Sequence, residues 1–129
     1  MKTAMFIFIN KGLNMSTGKI AAQAAHAAVE SYRISDHSLI KDWYKGKHYT
    51  KLVMQADDAE HLLHIERYIK ERGFKTCVII DEGITEIRPH SITALAVEIV
   101  DRDNEHTAAT FECFKLYKDI VKITLEIDR

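Results

Sequence analysis

An unbroken apolar run at residues 4–9, Ala-Met-Phe-Ile-Phe-Ile, is followed within ten positions by an alanine-rich segment, 19–32, of strong helical propensity. This succession constrains the fold more than any other feature of the chain. Six apolar residues are too few for a membrane span or the core of a signal peptide, and Asn10-Lys11-Gly12 follows instead of a small-residue cleavage site. The run reads as a buried first strand. The segment 19–32 holds six alanines. Side chains that small let a helix lie close against a sheet.

The rest of the chain repeats the alternation of strand and helix. A helix is expected from Ser35 or Asp36 to Gly46, and a strand over 49–54. An amphipathic helix over 57–72 puts Leu62, Ile65 and Ile69 on one face, with Asp57 as its cap and Gly73 at its end. β-Branched runs at 76–80 and 92–100 read as further strands, and a loop over 101–106 precedes a short helix. Val121, Ile123, Leu125 and Ile127 alternate with polar residues, which predicts an edge strand in a C-terminal extension, 118–129. Strands alternating with helices give an α/β layer fold. With no repeat, no linker and Pro89 as its only proline, the chain 1–129 is expected to form a single domain. Ligands in such folds sit at loops beyond the strand ends, here 12–18 and 81–91.

At 47% hydrophobic and 29% charged, the chain is neither disordered nor membrane-embedded. Cys77 and Cys113 lack CxxC spacing and are expected to be two buried free thiols, suited to a reducing cytoplasm. The net charge of -1 argues against a strongly basic nucleic-acid-coating module. Its distribution is uneven, however: residues 1–51 carry a net +5 and residues 52–129 a net -6.

Two groups of residues carry chemical interest. On the first helix Lys19, Gln23, His26 and Glu30 fall within an arc of about 60°. Lys19 lies at the positive end of the helix dipole, where an anion or a developing oxyanion would be stabilised. A solvated helix face is the plainer reading. Asp81 ends an apolar strand, so its carboxylate is held by rigid backbone. Gly83 permits a tight turn, and Thr85, Ser91 and Thr93 add hydroxyls. A carboxylate that orients a water beside donors for an oxyanion is the minimum set for ester hydrolysis. An Asx-type turn is the plainer reading here. His61 and His64 stand three apart, but no carboxylate or cysteine completes a metal-ligand pattern.

The run Leu13-Asn14-Met15-Ser16-Thr17-Gly18-Lys19-Ile20-Ala21-Ala22-Gln23-Ala24-Ala25-His26-Ala27 resembles the opening signature of the type 2 peptidyl-tRNA hydrolases, Leu-x-Met then Gly-Lys-x-Ala-Ala-Gln-x-x-His-Ala. The run from Asp81-Glu82-Gly83-Ile84-Thr85 through Pro89-His90-Ser91-Ile92-Thr93 resembles the family's Asp-Ala-Gly-Arg-Thr-x-Ile-x-Pro-Gly-Ser-x-Thr. Phe114-Lys115-Leu116-Tyr117 resembles its closing Leu-Lys-Leu. The likeness covers roughly residues 4–117. It implies a three-layer α/β/α sandwich on a mixed sheet of four to five strands, a homodimer without metal or cofactor, and cleavage of the ester between peptide and tRNA. It implies Lys19, Asp81 and Thr85 as the catalytic cluster, with Gln23, His26, Gly83, Ser91 and Thr93 positioning them or the substrate. His26 would relay a proton to the leaving ribose oxygen.

The chain departs from the family pattern at Gly12, Glu82, Ile84, His90 and Glu98-Ile99. A binding module that keeps the fold without catalysis is the alternative reading, and an esterase for another acylated substrate is a third. Lys11, Lys41, Lys45, Lys47 and Lys51, with Lys19 and Arg33, are expected to offer the tRNA backbone a basic face.

Overall fold

A computed structural model describes residues 1–47, 49–83 and 87–118. Ile84, Thr85 and Glu86 therefore lie outside the described residues, as does the strand expected at 121–127. Five strands form one mixed sheet: β1 (Thr3–Asn10), β2 (Lys51–Ala56), β3 (Thr76–Ile80), β4 (Ile92–Val97) and β5 (Val100–Asp101). The order is β2-β1-β4-β3, with β5 also on β1; β1 and β2 are parallel, and the other pairings are antiparallel. Four α-helices, α1 (Thr17–Ile34), α2 (His37–Lys45), α3 (Ala59–Glu71) and α4 (Glu105–Phe111), and a 3-10 turn at Lys11–Leu13 complete the described elements.

From Ala4 to Ile9 β1 is apolar because both its faces are covered. Ile7 and Ile9 pack with Ala94 and Ala96 of β4 against Ala24, Ala27 and Ala28 of α1. Phe6 and Phe8 pack on the opposite face with Leu62, Ile65 and Ile69 of α3 and Phe111 of α4. Met5 joins Trp43, Leu39 and Ile40 of α2. The result is the expected three layers: α1 and α2, the sheet, then α3 and α4.

Several boundaries differ from expectation for local reasons. Asp58, not Asp57, caps α3: its carboxylate accepts the His61 amide at 2.7 Å, while Asp57 accepts from the Gln55 side chain. Gly73 ends that helix at φ +95°, as expected. The second strand begins two residues late, at Lys51. The run 92–100 breaks at Glu98-Ile99. There the Glu98 amide and carboxylate pair with the Lys75 backbone, and the Ile99 amide goes to the Ser35 hydroxyl. Cys77 is only half-buried and Cys113 is exposed, because α4 ends before Cys113 and leaves it on a turn. The last described segment adds to the outer edge of β2, with Leu116 bridging Met54. The Gln55 amide donates to the Lys115 carbonyl and the Tyr117 amide to the Val53 carbonyl, both at 2.9 Å.

Candidate active site

The site lies at the end of the sheet where β1 and β3 finish and β4 begins. α1 enters it through Ser16, whose hydroxyl accepts the Lys19 amide and fixes the first turn. From there Lys19, Gln23, Ala27 and Ser31, spaced by four, run along the buried side of α1. The stripe read from the sequence is thus divided. Lys19 (7% exposed) and Gln23 (8%) face the sheet, whereas His26 is exposed two turns along from Lys19 and Glu30 is half-buried.

Asp81 follows the last residue of β3. In that strand Cys77 and Ile79 point toward α1, and Asp81 continues the same alternation. Its carboxylate meets the Lys19 ammonium at 2.5 Å through Oδ1, and both side chains are almost fully buried. Oδ2 accepts the Gly83 amide at 2.7 Å, which closes the Asx-type turn. The turn and the ion pair therefore coexist on the two oxygens of one carboxylate. The Lys19 ammonium donating to it holds the Asp81 carboxyl below its usual value; burial opposes this and the Gly83 amide assists.

The Asp81 backbone is gripped as firmly as its side chain. Its amide donates to the Ser91 carbonyl at 2.9 Å, and its carbonyl accepts from the His90 amide at 2.8 Å. The loop between them is narrow. Gly83 has φ +79°, and a Cβ there would stand 2.6 Å from the Pro89 ring. His90 has φ +63° at the position where the resembled pattern has glycine, so the backbone keeps the conformation after losing the residue best suited to it. The Ser91 hydroxyl donates to the Arg88 carbonyl, at 2.7 Å, and so serves the loop. Glu82 is exposed.

Thr93 reaches the site through a bulge. Ile79 pairs with Ala94 and Ile80 with Ile92, leaving Thr93 as an extra residue in β4. The bulge turns Thr93 to the α1 side beside Ala94 and sends Ile92 to the α3 side. There the fully buried Thr93 hydroxyl donates to Gln23 Oε1 at 2.6 Å.

Asn10 was not singled out from the sequence. It is 2% exposed, its Nδ2 donates to the Ile92 carbonyl, and its Oδ1 accepts the Gly12 amide, both at 2.9 Å. It ties the end of β1 to the start of β4. The signal was there to find: like Asp81, Asn10 is a polar residue that ends an apolar strand. A Cβ on Gly12 would stand 2.7 Å from the Asp57 carbonyl, so this loop is pressed against the β2–α3 junction.

The basic residues fall into two groups along the length of β1. Lys11 stands near the site, 5.4 Å over the Tyr117 ring. Lys41, Lys45, Lys47 and Lys51 gather around α2 and the start of β2, and Lys51 pairs with Met5 at the opposite end of β1 from Asn10. Between the two groups the chain returns along α1, so neighbours in sequence end at opposite ends of β1. His61 Nδ1 accepts the Asp57 amide at 2.9 Å, a contact within the start of α3. Among the described residues no helix is long and apolar enough to cross a membrane.

Comparison with known proteins places the chain among relatives of one kind. The family model described as Peptidyl-tRNA hydrolase PTH2 matches residues 3–117. A Peptidyl-tRNA hydrolase of Pyrobaculum aerophilum is 40% identical over 111 residues, covering 79% of this chain and 92% of that protein. One of Methanothermobacter thermautotrophicus is 34% identical over 92 residues, covering 70% of this chain and 80% of that protein. The Peptidyl-tRNA hydrolase 2, mitochondrial, of Mus musculus is 33% identical over 111 residues, covering 79% of this chain and 60% of that longer protein.

Proposed function

Because the chain belongs to the peptidyl-tRNA hydrolase PTH2 family, we infer that it hydrolyses the ester joining a peptide to the ribose of tRNA. The observation that carries this reading to the residue level is the buried pair of Lys19 and Asp81 at the open end of the sheet. Water adds to the ester carbonyl carbon. The carbonyl oxygen becomes an oxyanion, the carbonyl re-forms as the carbon–ribose oxygen bond breaks, and a proton given up by the water passes to the departing ribose oxygen. Lys19 supplies the positive charge for the oxyanion, reinforced by the N-terminal end of α1. Asp81, held ionised and therefore a weak base, aims Lys19 and orients the attacking water rather than removing its proton outright. Thr85, outside the described residues, is the proposed second donor to the oxyanion. Gln23 and Thr93 form the floor that fixes the Lys19 turn of the helix.

Two further elements belong to the proposal. The exposed Val29, Tyr32 and Tyr44 form an apolar patch above Met5, Ala28 and Trp43, which suits a second copy of the chain. The exposed thiol of Cys113 and the half-buried one of Cys77 suit a reducing cytoplasm. The test is release of peptide from a model peptidyl-tRNA, with Asp81→Asn as control. Release by the wild type and its loss in the variant is the expected result. Equal release by both would overturn the assignment of Asp81.

A further inference from the structure

At the opposite end of β1 from the Lys19–Asp81 pair lies a cleft of about 690 Å³, between the start of β1, the end of α2 and Arg102. Three cationic side chains line it: Lys2, Lys45 and Arg102. The one carboxylate in the lining, Asp42, accepts the Thr3 hydroxyl at 3.0 Å. The neighbouring Asp101 is engaged by the backbone amides of Lys2 and Asp103. The lining thus carries three cationic side chains against one carboxylate, with Asp101 beside it.

The wall beside it is rigid and aromatic. Trp43 is 7% exposed, and its indole N–H donates to the Thr50 carbonyl at 3.0 Å. The Lys51 ammonium lies 5.2 Å over the Trp43 ring, and Tyr49, itself partly exposed, sets its ring edge-on to Trp43 at 5.6 Å. Lys47 and Tyr49 both have positive φ, 59° and 47°. Left-handed backbone at two bulky residues costs free energy, and such strain gathers where side chains are displayed for contact. Exposed cations beside an accessible aromatic ring, here Tyr49, are the composition of a nucleic-acid surface.

We propose that this cleft is a second contact for RNA backbone, gripping the body of the tRNA while its acylated end occupies the Lys19–Asp81 site. The proposal rests on the hydrolase reading for its substrate and adds the place where the rest of that substrate is held. From Met5 to Asn10 the two regions are separated by about 17 Å at the rise of an extended strand. A polyanion reaches across that span, whereas a small acylated ester does not. Substrates that lack an RNA body then bind at the catalytic end alone.

The test uses the full chain with Lys2→Gln, Lys45→Gln and Arg102→Gln combined, and Lys45→Glu as an independent single variant. None of these residues belongs to the catalytic pair. Affinity for deacylated tRNA should fall about tenfold or more, and the slope of log affinity against log salt should become shallower by about one for each cation removed. On full-length peptidyl-tRNA, KM should rise while kcat holds, with no change on a peptidyl ester of a short CCA-ended oligonucleotide. Unchanged tRNA affinity and salt slope in both variants would overturn the proposal. So would an equal loss on the short ester, or a change of oligomeric state that marks the cleft as a contact between copies. The binding arm does not depend on hydrolysis. A wild type that releases no peptide, with variants that still lose tRNA affinity, sinks the hydrolase reading and leaves the cleft standing.

Discussion

The Lys19 ammonium and the Asp81 carboxylate meet at 2.5 Å across 62 positions of sequence, each less than a tenth exposed. Neither would be buried alone, since an unpaired charge in that position is strongly disfavoured. The pair joins the first turn of α1 to the end of β3, so the chemistry and the packing of α1 on the sheet depend on the same contact. Lys19→Ala and Asp81→Asn should each lower turnover by roughly 10²-fold or more, the scale for losing a positioned donor or carboxylate. Single-turnover rates on a model peptidyl-tRNA check this, and full activity in either variant would remove that residue from the mechanism.

The depressed pKa of Asp81 gives a pH dependence with a definite sign. A carboxyl whose folded pKa lies below its unfolded value contributes stability above the unfolded range, near pH 4, and loses it as pH falls through the folded value. In Lys19→Met the main cause of the depression is gone and burial remains. The Asp81 carboxyl should then titrate at higher pH; the variant should be less stable near neutral pH, and the loss of stability that Asp81 contributes on acidification should shrink or reverse. Carboxyl carbon chemical shifts followed against pH in the two proteins measure both values.

Gly83 and His90 make opposite predictions within one loop. Gly83→Ala places a methyl into the Pro89 ring at a positive φ, so the turn that donates its amide to Asp81 has to shift. Both melting temperature and turnover should fall. His90→Gly relieves a left-handed side chain, and the gain is partly offset by a more flexible unfolded chain. A stabilisation of up to about 1 kcal/mol is expected, with kcat unchanged. Thermal unfolding of the two variants decides it.

The Thr93 hydroxyl and Gln23 should behave as a coupled pair. Thr93→Val leaves a buried amide oxygen without its donor, which costs about 1–3 kcal/mol. In Gln23→Leu the added cost of Thr93→Val should be smaller. A double-mutant cycle by denaturant unfolding should therefore return a coupling of about 1 kcal/mol. Strict additivity would mean that the two residues do not act together.

Much of this arrangement was legible from local signals. The core face of α3 and the ends of β3 follow from propensity and periodicity, which act within a few residues. The bulge at Thr93 was not legible. A regular strand sends Thr93 and Ala94 to opposite faces, and only the pairing with β3 shows that both turn to α1. The division of the helix stripe into buried Lys19 and Gln23 and exposed His26 was equally hidden, because all three lie within one narrow arc. The covered side follows the line Lys19–Gln23–Ala27–Ser31, and His26 falls on its outer edge. The basic residues of the first half looked contiguous in sequence and are separated in space by the length of β1.

The segment that lies along β2 has a consequence for how the protein behaves in solution. Hydrogen-bonding groups along an outer strand are a template for strands of other molecules. Here the Gln55 amide and the Val53 carbonyl are already taken by Lys115 and Tyr117. The chain thus shields its own sheet margin with a stretch that also carries the ring facing Lys11. Removing residues from Lys115 onward would expose that margin, and self-association of the shortened protein would follow before any loss of secondary structure.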